Sequence, residues 1–239
     1  MNDSEELFKN KEYIELLYSE ERRPKTTYPL KLAHHLHEKI YKKNAKLVDI
    51  GCGRGDMMHA FSATGYEVHG LDLSPASIEL CKPHSVKIVD LSKEQLPYEE
   101  QTFEYSFSKS VIEHLHDPML LLKENYRILK TEGVAIVMTP SWMHNNWGPF
   151  YLDHTHVTPF TIPSLRDAMK LAGFSEVKVY NFYQLPFLWK KPSLEVLIKM
   201  IAKLPLPYKP MYDVELPPKI NTFIRFSKEV MLIATGKKK

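Results

Sequence analysis

The sequence predicts an α/β fold, a mostly parallel sheet with helices on both faces, and two observations carry that expectation. Strand-like and helix-like segments alternate along most of the chain, the order that builds parallel sheets through helical crossovers. One stretch is also explicit in its geometry. The apolar run 46–50 enters Gly51-Cys52-Gly53-Arg54-Gly55, and a helix and a second short apolar run then end at Asp72. A glycine turn at one strand tip and an acid at the next form a crevice suited to a nucleoside, the acid accepting hydrogen bonds from both ribose hydroxyls. At 239 residues, 44% hydrophobic and 26% charged, the chain fits one such domain with additions.

Taken in order, residues 1–28 are a charged extension in which Leu7, Phe8, Tyr13, Ile14, Leu16 and Leu17 suggest one or two short helices outside the core. The main domain, 29–239, is led in by a helix over 28–43. The first strand is 46–50; a helix over about 56–63 follows, closed by Gly65 as a left-handed C-terminal residue. The second strand, 66–71, delivers Asp72, and Ser74-Pro75 reads as an N-cap and first-turn pair for a helix over 75–82. Asp117-Pro118 opens an amphipathic helix bearing Leu120, Leu121, Leu122, Tyr126 and Leu129, and Ser164 with Asp167 has capping-box spacing. The last two strands read as mutually antiparallel, separated by a proline-rich insertion over 184–222. Within it, 193–204 places Leu194, Leu197, Ile198, Ile201 and Leu204 on one helical stripe. That pattern suits a helix packed on the core, and equally a lid or a lipid-touching surface over 187–208, because Trp189, Lys190 and Lys191 precede it.

The glycine pattern is G-x-G-x-G, with Asp56 where a dinucleotide fingerprint has its third glycine, and Asp49 adds negative charge beside the loop. An acidic cradle suits a cationic ligand rather than a pyrophosphate. On these residues the chain resembles the class I S-adenosylmethionine-dependent methyltransferases. Val89-Asp90-Leu91 resembles that family's third-strand motif, Phe103 to Ser108 its fourth strand, and Val111-Ile112-Glu113-His114-Leu115 the helix behind it. Glu132 to Pro140 resembles the fifth strand with its turn, and Ala172-Gly173-Phe174 the turn into the sixth. The likeness covers roughly 30–183 and returns at 224–235. It implies a Rossmann-like, seven-stranded sheet with its last strand antiparallel, and S-adenosyl-L-methionine as cofactor. The cofactor contacts it implies come from Asp49, Gly51, Cys52, Gly53, Gly55, Asp72, Leu73, Asp90, Leu91 and Ser108, with Asp90 reaching the adenine amine.

For an oxygen acceptor the chemistry asks for positioning and a general base, usually a histidine. Of eleven histidines, His34, His35 and His37 do not share one helix face and read as helix surface; His59, His69, His84 and His116 have no constellation around them. His114 follows the fourth strand, at the sheet edge that faces the ligand crevice. A second cluster, in the long connection after strand five, holds Trp142, His144, Trp147 and Asp153 as substrate-binding candidates and His154 and His156 as preferred bases. The stretch from Asp153 to Thr161 resembles a segment of bacterial methyltransferases of surface-glycan or lipid loci. Glu113-His114 and a later histidine also resemble part of the metal site of ubiquinone-biosynthesis O-methyltransferases and small-RNA 2′-O-methyltransferases. Ser110 replaces the first acid of that Glu-x-x-Glu-His pattern, so no metal is expected.

The expected activity is therefore metal-independent O-methylation of a small molecule, sugar or glycolipid precursor. An amine N-methyltransferase, a metal-dependent RNA 2′-O-methyltransferase and a non-catalytic subunit of the same fold stay open as alternatives. Nucleic acid is disfavoured as a partner, since 32 Lys and Arg against 29 Asp and Glu leave a net charge of only +3. Two cysteines suit a reducing compartment, the acidic N-terminus lacks an apolar signal core, and cytoplasmic localisation is expected, with the 187–208 region as a peripheral membrane contact.

Overall fold

A computed structural model describes residues 24–41, 43–209 and 218–239, so the expected helices within 1–23 and part of the 184–222 insertion lie outside the described residues. Seven strands form one sheet in the order β3-β2-β1-β4-β5-β7-β6. They are β1 (Lys46–Ile50), β2 (Glu67–Asp72), β3 (Ser85–Ile88), β4 (Phe103–Lys109), β5 (Leu129–Pro140), β6 (Ser175–Phe182) and β7 (Met231–Lys237). All neighbours are parallel except β7, which runs antiparallel to both β5 and β6. Strand order reverses at β1, which pairs with β2 on one side and β4 on the other, and the ligand crevice of such a sheet lies beyond the carboxyl ends there.

The sheet buries a core on each face because its strands alternate. On β5, Ala135 and Val137 point to one core and Ile136 and Met138 to the other; on β7, Leu232 and Ala234 oppose Met231 and Ile233. Helices α1 (Tyr28–Leu36) and α2 (Asp56–Ala63) cover the second face through Leu32, Leu36, Met58 and Phe61. α4 (Pro118–Ile128) and α6 (Ile162–Leu171) cover the first through Leu121, Leu122, Leu165 and Met169. Fully burying each of these side chains contributes about 1.5–3 kcal/mol.

Several local expectations are corrected. The leading helix passes into a π-helical turn over His37–Tyr41, which seats buried Tyr41 so that its hydroxyl donates to the Ser106 carbonyl of β4. α3 is only Ala76–Leu80; the Ser74 side chain is buried and caps nothing, because Asp72 instead accepts from the Ser74 N–H. The region 111–115 is one 3₁₀ turn, Ile112–His114. β5 begins at Leu129, expected to be helical, and bulges before resuming its pairing with β4. The box at α6 is Thr161 with Ser164, not Ser164 with Asp167: each side chain accepts from the other's backbone N–H. Asp117 does cap α4, accepting from Met119 N–H.

The insertion after β6 forms α7 (Pro186–Lys190), a 3₁₀ turn at Pro192–Leu194, α8 (Glu195–Ala202) and, beyond the undescribed stretch, α9 (Pro218–Lys228). Its apolar stripe is divided. Ile198 is buried with Leu185, Leu188 and Val230, whereas Leu197 and Leu204 are about half exposed and Val196 and Met200 more so. No described helix is long and apolar enough to cross a membrane.

Candidate active site

The loop after β1 turns on three glycines with positive φ, but they serve different ends. At Gly51 (φ +77) an added Cβ would stand 2.2 Å from Val111 Cγ2, so the glycine is needed for the chain's own packing. At Gly53 (φ +54) it would meet nothing within 4 Å, and this is the position where the loop borders open space. Gly53 N–H donates to Asp72 Oδ2 at 2.7 Å and Ser74 N–H to Asp72 Oδ1 at 2.9 Å. The carboxylate is thus aimed by backbone. Burial still raises the Asp72 pKa, outweighing those N–H groups. Asp49, at the end of β1, is pushed up to about 8 by burial and then by the charge of Asp72, with Lys109 opposing. A cation in this cradle would stabilise the charged forms of both acids, whereas a phosphate would add like charge beside them.

Asp90 lies just past β3; its Oδ1 accepts from the N–H and hydroxyl of Ser92, which orients the carboxylate at the crevice edge. Leu91 is buried, Leu73 half-buried, and the buried Ser108 hydroxyl has no hydrogen-bond partner among the described residues. The Cys52 side chain faces the protein, its sulfur 3.9 Å from that of Cys81, so only its backbone borders the loop. Both thiols are free. Arg54 clamps Asp56 through Nε and Nη2 at the start of α2.

Across the crevice, the loop after β5 is stitched to the turn after β4. The Glu113 carbonyl accepts from Val157 and Thr158 N–H groups, and the Thr158 hydroxyl donates to the Leu115 carbonyl. This brings His156 against His114, ring centroids 4.6 Å apart. Hydrogen bonding sets both tautomers. His156 Nδ1 lies 2.6 Å from the Phe150 carbonyl, which only accepts, so Nδ1 carries the proton. Thr155 Oγ1 donates to Asp153 Oδ1 and therefore accepts from His114 Nδ1–H at 2.9 Å. In each neutral ring Nε2 is then the acceptor nitrogen. Burial tends to raise Asp153, but hydrogen bonds from the Thr155 hydroxyl and N–H, with the positive charge of the two imidazoles when protonated, hold it below the usual carboxylate range.

Glu113 is fully buried; Oε2 accepts from the Thr139 hydroxyl at 2.9 Å, Oε1 has no hydrogen-bond partner among the described residues, and burial lifts its pKa to about 7. A ligand atom from each of Glu113, His114 and His156 lies within 4.8 Å of the others, a spacing one divalent ion can bridge. The expectation of no metal thus meets a three-ligand cluster, which Ser110, in a left-handed conformation (φ 59), does not dismantle.

The remaining sequence candidates scatter. His154 is exposed. Asp153 stands behind Thr155. Trp142, the first residue of the short helix α5 (Trp142–Asn145), is half-buried and edge-on to Phe150. His144 is bonded to Ser141 Oγ at 3.0 Å, and exposed Trp147 donates to the His144 carbonyl. His144 and Trp147 line a separate groove of about 570 Å³ with Tyr183, Lys199, Lys203 and Lys228. Of the other histidines, His35 packs on Trp189, His37 bonds Tyr66, His59 adjoins His84, and His69 pairs with Glu67. Sequence reasoning passed over Thr155 and the lysines. An Asp-x-Thr spacing, in which the acid caps the hydroxyl two residues on, signalled the first; nothing local signalled the second.

Residues 19–179 match the family model for a methyltransferase domain. The ubiquinone biosynthesis O-methyltransferase of Bartonella quintana (strain Toulouse) is 31% identical over 143 residues, 57% of this chain and 58% of that protein. The chloroplastic 2-methyl-6-phytyl-1,4-hydroquinone methyltransferase 1 of Oryza sativa subsp. japonica is 30% identical over 173 residues, 68% of this chain and 48% of that protein. The chain spans about half the length of the curated relatives it matches. A solved SAM-dependent methyltransferase of Thermotoga maritima, described as a possible histamine N-methyltransferase, superposes with a TM-score of 0.62 over 98% of this chain and 99% of its own at 18% identity, a likeness of fold.

Proposed function

The chain belongs to the methyltransferase domain family, dependent on S-adenosylmethionine, and from that premise we propose that it methylates a hydroxyl oxygen with His156 and His114 as proton acceptors. The bound cofactor supplies a methyl group already activated on a sulfonium. The residues that would hold it are those of the acidic cradle: the 51–55 loop, Asp72 for the ribose, Asp90 for the adenine and Asp49 for the positive end. The open space at Gly53 and the orientation of Asp72 support that fit.

The observation that carries the oxygen reading is the imidazole pair with its tautomers set. An acceptor hydroxyl placed between the cradle and these rings gains the methyl, and its proton passes to an imidazole Nε2. Asp153, acting through Thr155, holds the His114 ring and favours its charged form once the proton arrives. The O-methyltransferase named among the relatives supports an oxygen acceptor and adds phenolic hydroxyls to the sugars expected from sequence. The exposed residues Val196, Leu197, Met200 and Leu204 support an apolar acceptor body or a lipid contact. Incubation with methyl-labelled cofactor and a panel of catechols, sugars and amines tests the proposal. Label on oxygen, with a rate that rises with pH through the range where imidazoles titrate, is expected; label on amines alone overturns it.

The cluster of Glu113, His114 and His156 favours a second reading, in which these residues hold a divalent ion. The unpartnered Glu113 Oε1 is what supports it: a buried carboxylate oxygen without a donor is expensive unless something fills the gap. Under the base reading, EDTA leaves the rate intact. A rate that collapses on chelation and returns with added magnesium or zinc replaces the base reading with the metal one.

A further inference from the structure

The groove beside His144 has a composition the methyl-transfer chemistry does not use. Three ammonium groups reach it from two separate stretches: Lys199 and Lys203 from α8 and its end, and Lys228 from the end of α9. Lys199 is paired with Glu195 at 2.8 Å. Lys228 donates to the Leu204 carbonyl at 2.7 Å. Neither Lys203 nor Lys228 has a carboxylate within ion-pair distance among the described residues. Among the described residues, one acid against three lysines leaves a surplus of about two positive charges around a concavity, where low-dielectric walls strengthen the field. The walls are aromatic and apolar: Trp147 at the mouth and buried Tyr183 within.

The wall of the groove is tied to the proposed reaction centre by the end of β5. Thr139 of that strand bonds Glu113, and Ser141, two residues on, bonds His144 in the groove wall. Outside it, α8 continues as the exposed apolar surface of Val196, Leu197 and Met200. A ligand satisfying all three features carries an anion for the lysines, an aromatic or apolar body for the walls, and a reach along the end of β5.

We propose that this groove binds the phosphate of an apolar organic phosphate, so that the methyl acceptor is an anionic amphiphile anchored by Lys203 and Lys228. The acceptor role rests on the hydroxyl reading above; phosphate binding does not. Lysines suit a phosphate as compact point charges that several side chains can share. The phosphate can come from a soluble monoester or from a lipid headgroup.

The test uses the full chain and follows tryptophan fluorescence, to which Trp147 in the groove contributes, with calorimetry alongside. The probes are phenyl phosphate, dodecyl phosphate below its micelle concentration, dodecyl maltoside as neutral control, and vesicles of phosphatidylcholine with or without phosphatidylglycerol. At low salt, dodecyl phosphate should bind at least about tenfold tighter than dodecyl maltoside, and raised salt should weaken it. Lys203→Gln with Lys228→Gln should lose at least about tenfold of that affinity while binding S-adenosylhomocysteine as the parent chain does, which shows that the fold survives. Phenyl phosphate binding without vesicle binding identifies a soluble monoester as the source. Lysine-dependent binding to phosphatidylglycerol vesicles without phenyl phosphate binding identifies a lipid headgroup; both outcomes uphold the site. Equal affinity for maltoside and phosphate, or a double variant that binds like the parent, overturns it. Cofactor binding and methyl transfer are read separately, so hydroxyl methylation that persists in the double variant with an unchanged acceptor KM removes the anchor and leaves the proposed function standing.

Discussion

At the β1–β2 end of the sheet, the groups assigned to the cofactor are positioned by backbone over short stretches of chain: Asp72 is held by Gly53 N–H and Ser74 N–H. At the β4–β5 end, the reacting groups are positioned by side chains and by a loop folded back from far along the sequence. His114 leans on Thr155, 41 residues on, and Glu113 on Thr139, 26 residues on. The first arrangement follows from glycine conformation and strand spacing, so the same cradle can serve any acceptor. The second follows from which residues a distant loop brings in, and the proposed function puts chemistry and acceptor choice there. Substitutions at the two ends should accordingly separate binding of cofactor from turnover.

The largest effect is expected at the acceptor end. His156→Ala should lower kcat by about 10²–10⁴-fold with cofactor affinity little changed, whereas His154→Ala, at an exposed position, should retain turnover. Steady-state kinetics of the two variants check this; equal losses would mean that the loop as a whole, rather than one ring, is at work. At the cofactor end the pattern reverses. Asp72→Ala removes hydrogen bonds to a charged group, about 1.5–3 kcal/mol, or about a 10- to 100-fold loss in affinity for S-adenosylhomocysteine by calorimetry. Unchanged affinity would break the comparison at its firmer side.

Two smaller effects sharpen it. Gly51→Ala drives a Cβ into Val111 and should cost stability by about 1–3 kcal/mol in denaturant unfolding. Gly53→Ala meets no protein atom and should instead weaken cofactor binding, beyond the strain of about 1–2 kcal/mol common to both left-handed positions. The smallest effect is proton linkage at Asp49. Its carboxyl, raised to about 8, is mostly protonated at neutral pH, and a nearby cation favours the ionised form. Binding of S-adenosylmethionine should therefore release up to about one proton, with affinity rising as pH climbs toward 8 and levelling above it. Calorimetry in buffers of different ionisation enthalpy reads that release, which should be smaller for S-adenosylhomocysteine, which lacks the sulfonium charge.

Legibility in the sequence follows the same division. The alternating βα order, the glycine loop, Asp72 and the break before the last strand identified the sheet and one side of its crevice, because each depends on near neighbours and strand period. His114 and His156 were named as separate candidates, but their meeting was not legible. It depends on the Glu113 carbonyl capturing Val157 and Thr158 N–H groups, a pairing that local pattern does not encode. His154 appeared as good a base as His156 because adjacent loop residues differ only in which way the backbone turns them. The helix over 111–115 rested on the family likeness alone; the left-handed Ser110 and the short 3₁₀ turn replace it.

By itself, then, the sequence determined the fold class and named the loop and strand ends from which the proposed site is built. These rest on φ preferences, hydrophobic period and short-range spacing, which are properties of contiguous residues. Only the tertiary structure decided the rest: that Glu113, His114 and His156 converge, that the Phe150 carbonyl and Thr155 set the imidazole tautomers, and that Lys199, Lys203 and Lys228 share a groove. Each depends on packing between segments whose separation along the chain carries no periodic signal, so distance and burial, not pattern, select the residues that act together.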